Sequence, residues 1–156
     1  MGSIGRTSCP LRDWVDPRAL RFSAAATASV LAIVLLTAGL ARPLALGLLA
    51  SQVAVFGFTA FVSVHWSVWA QFFARVIWPR ISAAGELEAA HPARFAHFIG
   101  FLLTATALLG FAIGVDVIGY GLTAVTVAGA VINATTGVCL GCKLYLLASR
   151  LQRVRT

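Results

Sequence analysis

The chain has 156 residues, enough for one domain, with 60% hydrophobic and only 11% charged residues, against roughly 45–50% and about 25% in soluble proteins. So few charges cannot coat a water-soluble domain, which leaves lipid as the solvent. The net charge is +7, from 12 Lys or Arg against 5 Asp or Glu; these basic residues stand between and beside apolar runs, so anionic lipid head groups fit them better than nucleic acid does.

Residues 1–15 read as a flexible tail, short of core residues. Its Met-Gly-Ser-Ile-Gly-Arg start carries Arg6 where a myristoylation signal needs Ser or Thr, so that reading is rejected. Asp16-Pro17 is a helix start, an N-cap followed by proline. The first apolar run, residues 22–41, holds 20 residues without a charge, which at about 1.5 Å per residue matches the hydrocarbon layer. A cleaved signal peptide is the rival reading, but the run is longer than the usual h-region and further spans follow.

Arg42-Pro43 is a tight turn, and residues 44–64 form the second span. His65 to Trp78 differs in kind. At helical spacing Trp69, Phe72, Phe73 and Val76 share a face, with Ser67, Gln71 and Arg75 elsewhere. Trp66, Trp69 and Trp78 are of the ring type that prefers the head-group layer. The stretch reads as an interfacial amphipathic segment, against the plainer reading of a longer second span. Pro79 to His91 is a soluble loop, and His91-Pro92 repeats the earlier helix start. The third span is 95–115, with His97 near its beginning, and Asp116 marks a turn. The fourth span, 117–142, is uncharged until Lys143, and residues 152–156 close the chain as a basic tail. Val117 to Leu151 is 35 residues, about 52 Å of helix, too long for one straight crossing. It either tilts and emerges or breaks near Gly137 or Gly141. The predicted fold is therefore all-α: an integral membrane bundle of four transmembrane helices with an interfacial segment between helices 2 and 3.

Four crossings put both termini on one side. Eleven of the 12 basic residues fall with the tails and the middle loop, and only Arg42 falls in the two opposite turns. The positive-inside rule then predicts cytoplasmic termini and a cytoplasmic loop. About 20 residues from Asp116 reach the inner boundary near Gly137. Cys139 and Cys142 are thereby expected at the cytoplasmic interface, on the reducing side of the membrane.

Cys139 and Cys142 form a Cys-x-x-Cys pair that can close a small disulfide ring or share a soft metal. Adjacent Lys143 favours the thiolate. A helix restarting after Gly137 would add the positive end of a helix dipole, whereas an unbroken helix would not. Two blander readings stand beside these. The cysteines could be helix packing, and Gly137/Gly141 and Gly110/Gly114 could be small-xxx-small contacts. Cys9, the pair and one of His65, His91 or His97 could make a structural zinc set, although no second Cys-x-x-Cys exists. Asn133 and Gln52 are the strongest polar groups inside spans, as interhelical glue or as part of a quinone or substrate pocket.

Asp-Pro-Arg-Ala-Leu-Arg-Phe at 16–22, Pro-Arg at 79–80, Glu-Leu-Glu-Ala-Ala-His-Pro-Ala-Arg-Phe-Ala at 86–96 and Asn-Ala-Thr-Thr-Gly-Val-Cys-Leu-Gly-Cys-Lys-Leu-Tyr at 133–145 carry a resemblance. The sequence resembles a bacterial membrane-protein family catalogued as domain of unknown function 4395, over nearly all of the chain after the first 15 residues. The resemblance implies a four-helix protein of the bacterial inner membrane linked to thiol redox or sulfur transfer, with a thioredoxin-like or rhodanese-like soluble partner. It names no cofactor and leaves homo-oligomerisation open. The leading functional expectation is a cytoplasm-facing thiol protein, with Cys139, Cys142 and Lys143 as candidate catalytic residues. The alternative is a non-catalytic scaffold for a redox or sulfur-metabolism partner. Coupled transport is disfavoured, because the spans contain no Asp, Glu, Lys or Arg.

Overall fold

The computed structural model describes residues 14–62, 67–80 and 88–154. Four long helices carry the fold: α1 (Pro17–Thr37), α2 (Arg42–Phe61), α4 (Ala90–Ala112) and α5 (Asp116–Thr136). A short helix α3 (Val68–Phe72) and a terminal helix α6 (Leu140–Val154) complete the α-helices among the described residues. The four long helices are each long and apolar enough to cross a membrane. This is an all-α membrane bundle, as the hydropathy pattern predicts.

Local chemistry sets the helix ends. Asp16 caps α1 by accepting the Arg18 N–H at 2.8 Å, and Pro17 occupies the first turn. The helix thus starts ahead of the apolar run, because a first turn tolerates polar residues that a hydropathy count leaves out. Trp14 and Val15 (β1) pair antiparallel with Glu88 and Ala89 (β2), Trp14 opposite Ala89, which pins the start of α1 to the start of α4. Gly114 (φ 82°) turns the chain between α4 and α5, and Gly137 (φ 72°) ends α5. The left-handed region is open to glycine because it lacks a β-carbon.

The long helices form a ring in the order α1–α2–α4–α5, each packed on its two neighbours. Arg42 at the α1–α2 turn pairs with Asp116 at the α4–α5 turn (2.9 Å) and also donates to the Phe111 carbonyl. Both tight turns therefore sit at one end. The starts of α1 and α4 and the ends of α2 and α5 sit at the other. The best-packed core lies toward the turn end, with Leu31, Val34, Ala45, Leu49, Ala107 and Phe111 buried together. Ile33, Leu36, Leu109 and Ile113 point outward and are exposed, as side chains bathed in lipid would be. Four buried or part-buried threonine hydroxyls, those of Thr59, Thr104, Thr123 and Thr126, donate to the carbonyl four residues earlier and so cost the apolar interior little.

Glycines bring the helices close, but not as small-xxx-small pairs. Gly110 faces the Gly119 backbone of α5, where a β-carbon would lie 3.0 Å from its nitrogen, whereas Gly114 serves the turn. A β-carbon on Gly119 would sit 2.7 Å from the Phe111 ring.

The segment after α2 is a separate element. After Ser67, α3 runs into a π-helical turn at Phe73–Ile77 and a 3-10 turn at Trp78–Arg80. Phe22 of α1 stacks on Phe72 (5.8 Å between ring centres) and meets Phe73 at the same distance. The four residues expected on one face divide: Phe73 is buried and Trp69 half-buried, while Phe72 and Val76 are exposed; the π turn from Phe73 onward shifts the angular register of Val76. Residues 63–66, with His65 and Trp66, lie outside the described residues.

The Arg42 contacts yield a stability prediction. Arg42→Ala should cost about 1–2 kcal/mol and Asp116→Asn about 0.5–1 kcal/mol in detergent unfolding, since only the arginine also satisfies the Phe111 carbonyl. Equal losses would mean that the ion pair alone holds the turns together.

Candidate functional site

The candidate site is built where α5 stops. Its last carbonyls need partners, and the chain supplies two. The Gly137 N–H bonds the Asn133 carbonyl (2.9 Å), and the Arg21 guanidinium, from α1, donates to the Thr135 carbonyl (3.0 Å). A cation at a helix C-terminus also offsets the negative end of its dipole. Gly137 must be glycine on two counts: its φ is positive, and a β-carbon there would lie 3.2 Å from Arg21 Nε.

The chain then restarts as α6, and Cys139 takes the N-cap position. Its carbonyl accepts the Lys143 N–H (3.1 Å), and its sulfur accepts the Cys142 N–H (3.3 Å). The thiol thus does what Ser, Thr or Asp usually does at this position. Of the two arrangements left open by the sequence, the helix restarts. An N–H donor and the positive end of the dipole then both face the Cys139 sulfur. Cys139 and Cys142 are both half-buried, neither is in a disulfide, and Lys143 is exposed on the first turn of α6.

The position of α6 is fixed by α4. A β-carbon on Gly141 would lie 2.6 Å from Ala96 Cα, and the Phe95 and Tyr145 rings meet at 5.5 Å. The close approach that Gly141 permits is therefore spent within the chain, on α4. As with the other glycine pair, one member turns the chain and the other packs a helix.

Beside the cysteines a cavity of about 290 Å³ opens among α1, α4, α5 and α6. Both sulfur residues border it, together with Arg21, Ser23, His97 and Asn133. Away from the sulfurs its walls are small or aliphatic: Ala24, Gly129, Ala130, Leu103 and Val125. Phe56 reaches it from α2, with its ring 5.7 Å from the His97 imidazole. Gln52 does not line the cavity. It is buried, and its Oε1 has no hydrogen-bond partner among the described residues, so the interhelical pairing expected of it is not made to them through that atom.

Three features of this site escape a sequence reading. His97 faces the cavity, Arg21 reaches a helix end 114 residues away, and Cys139 is a cap. Only the last has a local signal, a turn-forming glycine two residues before a cysteine. Cys9 and His65 lie outside the described residues, and among the described residues no three His, Cys, Asp or Glu side chains come together as a metal site.

A bundle of four membrane-crossing helices, with a Cys-x-x-Cys pair capping a further helix beside a cavity, defines the class of protein. The family model described as Domain of unknown function (DUF4395) matches residues 15–150, and the chain belongs to that family. No curated protein and no solved structure matches it.

Seating α6 on α4 can be tested separately from any activity. Gly141→Ala should cost about 1–3 kcal/mol through overpacking and should speed maleimide labelling of Cys139 and Cys142 as α6 lifts away. Gly129→Ala, where a β-carbon meets nothing within 4 Å, should do neither. Matching behaviour of the two variants would contradict the close packing.

Proposed function

We propose that this protein is a membrane dithiol carrier. Cys139 and Cys142 cycle between dithiol and disulfide by exchange with a soluble thiol protein at the cytoplasmic face. The carrying observation is the N-cap placement of Cys139, whose sulfur accepts the Cys142 amide (3.3 Å) at the start of a helix. An amide donor at the sulfur is the partner that a thiolate accepts from, and the thiolate is the form that attacks and leaves in disulfide exchange. In this reading the exchange is reversible: in the oxidising direction the Cys139 thiolate attacks the disulfide of the oxidised partner, one partner sulfur leaves as thiolate, and a mixed disulfide forms. Cys142, three residues on, resolves it: its thiolate attacks the Cys139 sulfur, closes the intramolecular disulfide and releases the partner thiolate.

The orientation rests on charge. Eleven of the 12 basic residues lie in the stretches assigned to one side, which favours that side as cytoplasmic in a bacterial inner membrane. The exposed Lys143 at the start of α6 adds to the positive field that a thiolate needs. A partner of thioredoxin-like or rhodanese-like chemistry fits the pair; with the latter, the same thiolate would accept a sulfane sulfur as a persulfide.

Acid-quenched alkylation of native membranes tests the proposal. The wild-type pair should shift between alkylated and protected forms with the redox state of the cell. Cys142→Ser should accumulate a mixed disulfide on non-reducing gels, at least 10-fold above Cys139→Ser. A pair that stays fully reduced under oxidant, with no trapped adduct in either variant, would leave a scaffold role in its place. A tag at either terminus that external protease removes from intact cells would invert the topology.

A further inference from the structure

We infer that the cavity beside Cys139 and Cys142 binds the ring of an isoprenoid quinone, and that this quinone is the electron acceptor for the dithiol. The inference rests on the redox reading above and names its second substrate.

The shape of the cavity carries the first part. Its volume of about 290 Å³ lies near the bottom of the small-molecule range of about 300–1,000 Å³. It has room for a substituted ring but not for a peptide. It extends from the sulfur pair at the end of the bundle to Val125 and Leu103, midway along α5 and α4. From Asn133 to Val125 is eight residues of α5, about 12 Å of helix. Val125 is itself exposed on the outer face of the bundle, so the far end reaches the side of the molecule that lipid covers. A ligand with its reactive head at the sulfurs and an apolar tail leading into the bilayer fits that course.

The polarity of the cavity carries the second part. The Thr126 hydroxyl is engaged by the Leu122 carbonyl (2.8 Å), so that wall presents little polarity. At the sulfur end, Asn133 and His97 line the cavity, and neither side chain makes a hydrogen bond to a described residue. Polar groups facing an apolar space seek partners. The amide N–H of Asn133 and an imidazole N–H of His97 can each donate to a carbonyl oxygen. A quinone ring carries two such oxygens, whereas a bare acyl chain carries none.

The chemistry balances. The two thiols lose two electrons and two protons, a sulfur–sulfur bond forms, and the two quinone carbonyl oxygens become hydroxyls. The soluble partner, in its dithiol form, reduces the disulfide again by the reverse of the exchange above: one partner thiolate attacks the Cys139 sulfur, Cys142 leaves as thiolate, and the second partner thiol closes the partner's own disulfide and releases Cys139. The quinol leaves along the lipid-facing end.

The test uses the full chain, reduced, in phospholipid nanodiscs with decylubiquinone. Quinone reduction is followed by its ultraviolet band, and the pair by alkylation. The expected result is one quinone reduced per pair oxidised. Gly129→Leu, whose side chain would enter open space in the cavity, should slow quinone reduction at least 10-fold while leaving exchange with dithiothreitol unchanged. Asn133→Leu should raise the quinone concentration for half-maximal rate at least fivefold. Quinone reduction by Gly129→Leu at the wild-type rate would overturn the inference. So would a wild-type pair that exchanges with dithiothreitol but is not oxidised by decylubiquinone, as expected if the cavity holds only a phospholipid tail; the dithiol reading would then survive. A pair inert to both reagents would overturn both.

Discussion

The left-handed turn at Gly137 governs everything at the cysteine end of this molecule. An α-helix that continued past Thr136 would carry Cys139 and Cys142 on through the same rod, their amides bonded to carbonyls behind them. Because Gly137 turns at φ 72°, a conformation costing other residues about 1–2 kcal/mol, α5 ends and a new helix begins three residues later, at Leu140. New helix starts have amide donors without partners, and the Cys139 sulfur meets one of them. The turn is itself supported from across the bundle by Arg21, which bonds the last turn of α5 from α1. A backbone preference, a helix dipole and a cation from the far end of the sequence thus converge on one sulfur atom.

The two ends of the bundle are built on different principles. At the turn end, short connections bring Arg42 and Asp116 together, and Leu31, Leu49 and Phe111 are buried in one cluster between the helices. At the other end α2 and α4 are joined by a longer connection, and the helix starts are held by a two-residue strand pairing and by Arg94, which donates to the Ala60 carbonyl at the end of α2 (3.1 Å). The small residues Ala24, Gly129 and Ala130 keep the helices there from filling the space between them. Close packing would have been simple to achieve with leucine at those positions. The bundle is thus divided between a packed core at one end and a cavity at the other.

The membrane fold was legible because its cause is local: lipid demands long apolar helices whose backbones satisfy themselves, and a run of uncharged residues states that demand directly. Asp16-Pro17 likewise announced a helix start by its own chemistry. The division of Trp69, Phe72, Phe73 and Val76 could not be read from helical spacing, because the spacing assumes one turn length and the chain changes to a wider one at Phe73. Gly110/Gly114 and Gly137/Gly141 look like paired packing motifs in the sequence. Only backbone angles reveal that one glycine of each pair makes a turn. The cavity was illegible for a further reason. It needs Ala24, His97, Gly129 and Cys142 from four helices at one level, and no local pattern states how helices far apart in sequence are aligned.

The placement of the sulfur pair also constrains its chemistry. Helix α6 is anchored to α4 through Gly141 and Ala96, so Cys142 is held on a seated helix, while Cys139 lies at the junction with the turn. A sulfur at a junction can change its rotamer without unseating the helix; a sulfur on a packed turn has less freedom. In the proposed exchange the two thiols are therefore unequal before any partner arrives: Cys139 stands at the helix start with an amide on its sulfur, and Cys142 sits on the packed helix beside it. That asymmetry is what sequential disulfide exchange requires, since one sulfur must engage the outside and the other must wait within reach. With the cavity bordering the same two residues, electrons entering at the surface and electrons leaving into the bilayer would pass through a single pair of atoms, and neither exchange would require a rearrangement of the four crossing helices.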